Sequence, residues 1–136
     1  METAQSNQNS QLQAILTSIE GKTTAELSSP SALHDYLIQL TNWLAFTGEQ
    51  KARAQRAYNI AKKQAYFNLE ANFRSTGHEL KPMLAKDFVG AQCHDQAYDF
   101  DLADRCYSTI VHTIDAMRSV LSSLKAEMQT LHYAGQ

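Results

Sequence analysis

Proline, glycine and long apolar runs are all scarce in this sequence. It contains two prolines and five glycines in 136 residues, and no stretch alternates apolar and polar residues as a half-buried strand does. No run reaches the about 20 apolar residues of a membrane-spanning helix. The first ten residues lack the basic flank and apolar centre of a signal peptide. We therefore expect a cytoplasmic, all-α protein without a membrane partner.

Cysteine is equally rare, since Cys93 and Cys106 are the only two. On one continuous helix they would lie about 220° apart around the axis, where they cannot pair. Free structural thiols in a reducing compartment are the expectation. The net charge of −2 gives no overall attraction to nucleic acid or to an anionic membrane, so such binding would require a local basic patch.

A heptad pattern dominates the C-terminal third of the chain. Apolar residues recur there at alternating intervals of three and four, which keeps one stripe of a helix facing a partner for about eight turns. The stripe consists of Phe100, Ala103, Tyr107, Ile110, Ile114, Met117, Leu121, Leu124, Met128 and Leu131. This pattern predicts a long helix over about residues 95–132.

A second long helix is predicted over about residues 30–73. Ser29 and Pro30 form a strong helix start, because serine caps free amides and proline at the first helical position loses no hydrogen bond. Shorter helices are expected at about 11–20 and 80–89, with a turn at about 75–79 that contains Gly77. Residues 1–10 are polar and predicted to be a disordered tail, so that residues 11–136 form a single helical domain.

Charge patterning supports a hairpin of the two long helices. A reversal near Gly77 places residues 51–69, which are basic, opposite roughly residues 84–102, which are acidic. The predicted fold is an all-α, elongated antiparallel helical hairpin, coiled-coil-like, with a short N-terminal helix. A rod of about 65 Å cannot be covered by one short helix, and we expect a homo-oligomer.

Two groups of residues are candidate binding sites. The first is basic and interleaved with tyrosines, as in proteins that neutralise phosphates and stack bases: Lys51, Arg53, Arg56, Lys62 and Lys63. Because the acidic block would lie opposite, a neutralised structural face is the favoured interpretation. The second is a polar strip on the C-terminal helix, for which a solvated face and a partner-binding surface are alternative interpretations: His112, Asp115, Arg118, Ser119 and Ser122.

Catalytic and metal sites are not predicted. Cys93, His94, Asp95, Asp99 and Cys106 are metal-ligand types but lack the CxxC or HxxxH spacing that directs two ligands to one ion. His112 and Asp115 lie one turn apart, where a histidine with a carboxylate can act as a base, yet no nucleophile is set against them. A solvated pair is favoured, and we expect no cofactor and no enzymatic activity.

The segment Ile114-Asp115-x-x-Arg118-Ser119-x-Leu121-Ser122-x-Leu124-Lys125-x-Glu127 resembles the C-terminal helix of small all-helical proteins of tailed bacteriophages and prophages. The resemblance spans about forty residues of helical pattern and carries over no catalytic residue. The Gln-rich N-terminus and residues 80–88 depart from it. It implies a small accessory factor that works by binding, in the host cytoplasm if the gene belongs to a phage.

The function expected from the sequence is that of a non-enzymatic helical interaction protein. It would bind a host or phage macromolecule, with inhibition of a host defence or replication enzyme as one form of this role. The alternatives are a nucleic-acid-binding recombination or replication accessory that uses the basic stretch, and a structural component of the virion.

Overall fold

A computed structural model describes the backbone of residues 2–135 and the side chains of residues 4–135. The elements are α1 (Glu2–Glu20), a 3₁₀ helix (Ala25–Leu27), α2 (Pro30–Ser75), α3 (Pro82–Gln92) and α4 (His94–Ala134), and residues 2–135 contain no strand. The predicted all-α helical hairpin is confirmed, because α2 packs along α4. None of the helices in this range has both the length and the apolar character needed to cross a membrane.

The ends of the helices lie where local sequence signals predict them. The Ser29 hydroxyl accepts a hydrogen bond from the Ala32 amide at 3.1 Å, with Pro30 in the first turn of α2. The reversal after α2 contains Gly77 at φ +74°, a left-handed conformation that glycine adopts without the steric cost of a Cβ atom. The start of α2, the reversal, and the positions of α3 and α4 all agree with the prediction within a few residues.

The register of α2 against α4 also agrees with the prediction. Lys51 Nζ lies 2.9 Å from Asp104 Oδ1, and the Tyr58 and Phe100 rings stack with centroids 6.3 Å apart. Gly48 lies in the middle of α2 without interrupting it, and a Cβ atom there would lie 3.4 Å from the Tyr107 ring. The glycine therefore lets this tyrosine approach the α2 backbone closely.

The core lies where α1 joins the two long helices. Its members come from α1, α2 and α4 and are buried together: Leu12, Ile15, Tyr36, Leu40, Ala103, Cys106, Ile110 and Ile114. Leu33, Leu40, Cys106 and Ile110 are completely buried. This cluster occupies the half of the hairpin remote from the reversal, which leaves the other half with far fewer buried side chains.

The predicted disordered tail is wrong. Residues 2–10 form the first half of α1, and Met1 lies outside the described residues. Asn9 Nδ2 donates a hydrogen bond to Asp99 Oδ1 at 2.8 Å, and Gln13 Nε2 donates one to the Tyr98 hydroxyl at 3.3 Å. Polar composition is typical of disorder, but here the polar side chains hydrogen-bond α4 while Leu12 and Ile15 enter the core. Tertiary packing thus extends a helix that its own composition would not predict.

The heptad stripe of α4 is longer than the helix that covers it. Ile110 and Ile114 are buried, whereas Met128 and Leu131 are 57% and 72% exposed. The reason is that α2 begins at Pro30, so the last turns of α4 extend past the end of their partner. The predicted self-association stays a prediction, and this uncovered end of the stripe is the place where it would act.

Two substitutions on the same heptad stripe should separate buried from uncovered positions. Ile114→Asp places a carboxylate in the core and should lower the free energy of unfolding by roughly 3 to 5 kcal/mol. Leu131→Asp should leave helicity and thermal stability within experimental error, because its side chain is 72% exposed. Urea unfolding followed by circular dichroism measures both, and equal stability of the two variants would contradict the hairpin core.

Loss of an oligomer in Leu131→Asp, measured by sedimentation, would support self-association through this end.

Candidate interaction surface at the hairpin tip

Large apolar side chains are exposed around the reversal of the hairpin. We call this end the tip and define it as residues 56–92, the second half of α2 together with α3. The exposed residues there are Ile60, Tyr66, Phe67, Met83, Leu84 and Phe88. The helix α3 has only eleven residues, and Ala85 is its one buried member among the described residues. A short helix that buries so little leaves large apolar side chains exposed, and exposed apolar surfaces often mark interaction sites.

A groove of about 440 Å³ runs between α2 and α3. Pro82, Ala85 and Val89 form its floor because they recur at intervals of three and four residues, which places them on the side of α3 that faces α2. Tyr66 and Leu80 complete the apolar lining. Three lysines also line the groove, Lys62 and Lys63 from α2 and Lys86 from α3, and each carries an ammonium group.

Aromatic rings, rather than carboxylates, hold two of these ammonium groups in place. Lys62 Nζ lies 4.2 Å from the centroid of the Tyr58 ring, and Lys63 Nζ lies 5.9 Å from that of Phe67. Such cation–π contacts favour a position without cancelling the charge. Within the described side chains, neither these lysines nor Lys86 forms an ion pair. The groove is therefore apolar at its floor and cationic at its rim.

Among the described side chains, some residues of the predicted basic stretch form ion pairs and others do not. Lys51 pairs with Asp104, and Arg53 pairs with Glu49 one turn earlier, with 2.6 Å between nitrogen and oxygen. For Arg56, no ion pair exists among the described side chains. The expectation that the acidic block neutralises the whole stretch is confirmed only at Lys51. Lys62 and Lys63 form no ion pair with this block among the described side chains, neither with Asp87 on α3 nor with its members on α4, which are Asp95, Asp99, Asp101 and Asp104.

The predicted polar strip lies on one exposed helix face. His112, Asp115, Arg118, Ser119 and Ser122 are all exposed on α4. Ser119 Oγ bonds back to the Asp115 carbonyl at 3.2 Å within the helix. Arg118 alone also lines a shallow apolar groove of about 300 Å³. The partner-binding role of this strip stays a prediction.

A polar cleft of about 290 Å³ opens between α1, α2 and α4. It is lined by Gln5, Gln8, Gln50, Arg53, Ala54, Ala57, Gln96 and Asp99. Arg53 already pairs with Glu49, and Asp99 already accepts from Asn9. Arg53 is thus paired within α2, and Asp99 links α4 to α1.

The cysteine and histidine cluster does not converge on one point. Cys93 and Cys106 are buried free thiols, while His94 is exposed with Nε2 3.2 Å from Asp95 Oδ1. Within residues 2–135, no group of three or more His, Cys, Asp or Glu side chains has the arrangement of a metal site. Cys106 Sγ approaches the Leu12 carbonyl oxygen at 3.7 Å, and burial raises the pKa of this thiol to about 11.

Comparison with known proteins adds no assignment: the chain matches no family model, no curated protein and no solved structure. The geometry of the tip is consequently the main guide to function. Sequence patterns identified Lys62 and Lys63 with the interleaved Tyr66, but they missed Lys86 as a member of the same groove. The available signal was the spacing of Pro82, Ala85 and Val89, which marks the side of α3 that must face another helix.

The two thiols should be unreactive in the folded protein. Both side chains are at most 2% exposed, and the raised pKa of Cys106 keeps it in the poorly nucleophilic thiol form. Reaction with Ellman's reagent at pH 8 should be slower by at least about a hundredfold than in urea, where both thiols should react. A Ser122→Cys variant places a thiol on the exposed face of α4 and should react at once. Rapid native labelling of the parent chain would contradict the packing of Leu12 on Cys106.

Proposed function

We propose that this protein is a non-enzymatic helical interaction factor whose contact surface is the tip. The observation that carries the proposal is the coincidence, around α3, of half-exposed aromatic and aliphatic side chains with lysines that aromatic rings hold in place. Specific interfaces combine an apolar centre with a polar or charged rim. The groove between α2 and α3 has this arrangement.

Rigidity of the hairpin supports the same proposal. The seam between α2 and α4 fixes the long helix on which the tip residues sit, and α1 reinforces that seam at the opposite half. A surface on a preformed scaffold loses little conformational entropy on binding. The long helices would therefore act as a support that presents the tip to a macromolecule.

A phage or mobile-element role is part of the proposal and rests on the resemblance of the C-terminal helix. Recombination or replication genes beside this gene would favour an accessory role, and capsid or tail genes would favour a virion component. Mass spectrometry of purified particles separates these roles, because a virion component is found in the particle.

Site-specific photocrosslinking tests the tip as the contact surface. Phe88→p-benzoylphenylalanine replaces a 49% exposed aromatic residue of α3, and Tyr133→p-benzoylphenylalanine makes the same change at the opposite end of the molecule. In the cell that encodes the protein, irradiation should give a discrete adduct from position 88 and none of the same size from position 133.

Treatment of the adduct with nuclease then identifies the class of partner: a nucleic-acid adduct loses most of its added mass, whereas a protein adduct keeps it. An adduct from position 133 with the mass of two chains would report self-association of the uncovered end of α4. Absence of any adduct from position 88, with the variant folded and soluble, would contradict the proposal.

A further inference from the structure

Positive charge is concentrated at the tip of a protein that is acidic elsewhere. Six of the twelve Lys and Arg residues lie within residues 56–92, together with three of the fourteen Asp and Glu residues. Those three are Glu70, Glu79 and Asp87, and none of them lines the groove between α2 and α3. Glu70 is moreover paired with Arg74, with 2.7 Å between nitrogen and oxygen. A polyanion would be attracted to the tip and repelled by the rest of the molecule.

The cations of the groove differ from those elsewhere in the basic stretch. Lys51 and Arg53 are neutralised by Asp104 and Glu49. Lys62, Lys63 and Lys86 converge on one concave surface, and no carboxylate of the described side chains lies within ion-pair distance of them. Three ammonium groups around one groove suit a ligand that carries several closely spaced anionic groups.

Aromatic side chains lie directly beside these cations. Tyr66 lines the groove and is 45% exposed. The neighbouring Phe67 meets it edge to face, with ring centroids 6.3 Å apart. Proteins that bind single strands combine such exposed rings, on which bases stack, with cations that follow the phosphates.

We infer that the groove formed by Lys62, Lys63, Tyr66 and Lys86 binds single-stranded nucleic acid, with a base against Tyr66 and phosphates at the lysines. This inference rests on the proposed function and names the partner of that same surface. Single strands are favoured over duplexes because an unstacked base can enter the apolar groove, whereas paired bases present only their edges. An acidic protein segment is the less favoured partner because it offers no base to stack on the exposed ring of Tyr66.

Fluorescence anisotropy of labelled (dT)₁₅ tests the inference. Three phosphate contacts give a logarithmic salt slope of about −2 on a single strand, which means about 20-fold weaker binding at 200 mM than at 50 mM salt. A duplex of the same length should bind more weakly. No binding of (dT)₁₅ at 50 mM salt would overturn the inference.

A pair of variants with the same change in charge locates the site. Lys62→Glu combined with Lys86→Glu should weaken (dT)₁₅ binding by at least about tenfold at 50 mM salt, because phosphate contacts carry much of the affinity. Arg105→Glu combined with Lys125→Glu makes the matching change at two exposed positions of α4 outside the groove, and should leave affinity within about twofold. Equal loss in both variants would mean general charge attraction and would overturn the site. Circular dichroism must show that both variants remain folded.

The Tyr66→Ala variant distinguishes stacking from charge. It should weaken (dT)₁₅ binding by about tenfold while leaving the salt slope unchanged, since a stacked base contributes affinity without releasing counterions. Unchanged affinity in Tyr66→Ala would overturn the assignment of a base to this groove.

A labelled (Glu)₁₅ peptide separates failure of the inference from failure of the proposed function. If the peptide binds, depends on Lys62 and Lys86, and (dT)₁₅ does not bind, the partner is an acidic protein segment, so the inference fails and the proposed function stands. If neither probe binds and position 88 gives no photocrosslinked adduct, both fail. A nuclease-resistant adduct without (dT)₁₅ binding overturns the inference alone.

Discussion

The seam between α2 and α4 is the constraint on which the rest of the structure depends. Heptad residues of α4 pack against the apolar stripe of α2, and the completely buried side chains of Leu33, Leu40 and Ile110 belong to these two helices. Burial of such side chains contributes about 1.5 to 3 kcal/mol each. Because the seam sets the register, it also decides which residues meet at the reversal and which remain without a partner.

Coverage of this seam is uneven along its length. The helix α1 packs against one half, where Leu12 and Ile15 join the core. The tip receives only the short helix α3, and the last turns of α4 extend beyond the start of α2. A chain of this length that is drawn out into long helices has too few residues to cover both sides of its own rod. Exposed apolar surface is therefore a consequence of the architecture, and it is concentrated at the two ends.

The two exposed ends differ in charge, which bears on how each would be used. At the tip, Lys62, Lys63 and Lys86 surround an apolar groove. At the other end, Met128 and Leu131 simply continue a heptad stripe. A cationic rim favours an anionic partner, whereas an uncovered heptad stripe favours another helix. Binding of a macromolecule and self-association would thus occupy opposite ends of the molecule without competing.

Much of the fold follows from local rules in the sequence. The Ser29-Pro30 start, the reversal at Gly77 and the heptad spacing of α4 each reflect backbone geometry or helical periodicity, which depend only on neighbouring residues. The charge pattern further predicted the register, since Lys51 and Asp104 were expected on facing segments. The hairpin and the register of its two long helices could therefore be predicted from the sequence.

Other features were decided only by the tertiary structure. The first ten residues looked disordered because they are polar, and only hydrogen bonding to α4, such as that of Asn9 with Asp99, accounts for their helix. Likewise, the basic stretch looked uniform in sequence, yet Arg53 pairs along its own helix while Lys62 lines a groove together with Lys86 of α3. Helical periodicity determines which face a side chain occupies, but the packing of α3 on α2 decides which faces meet. The candidate site forms only when α3 packs on α2, because its residues lie on two helices separated by the reversal.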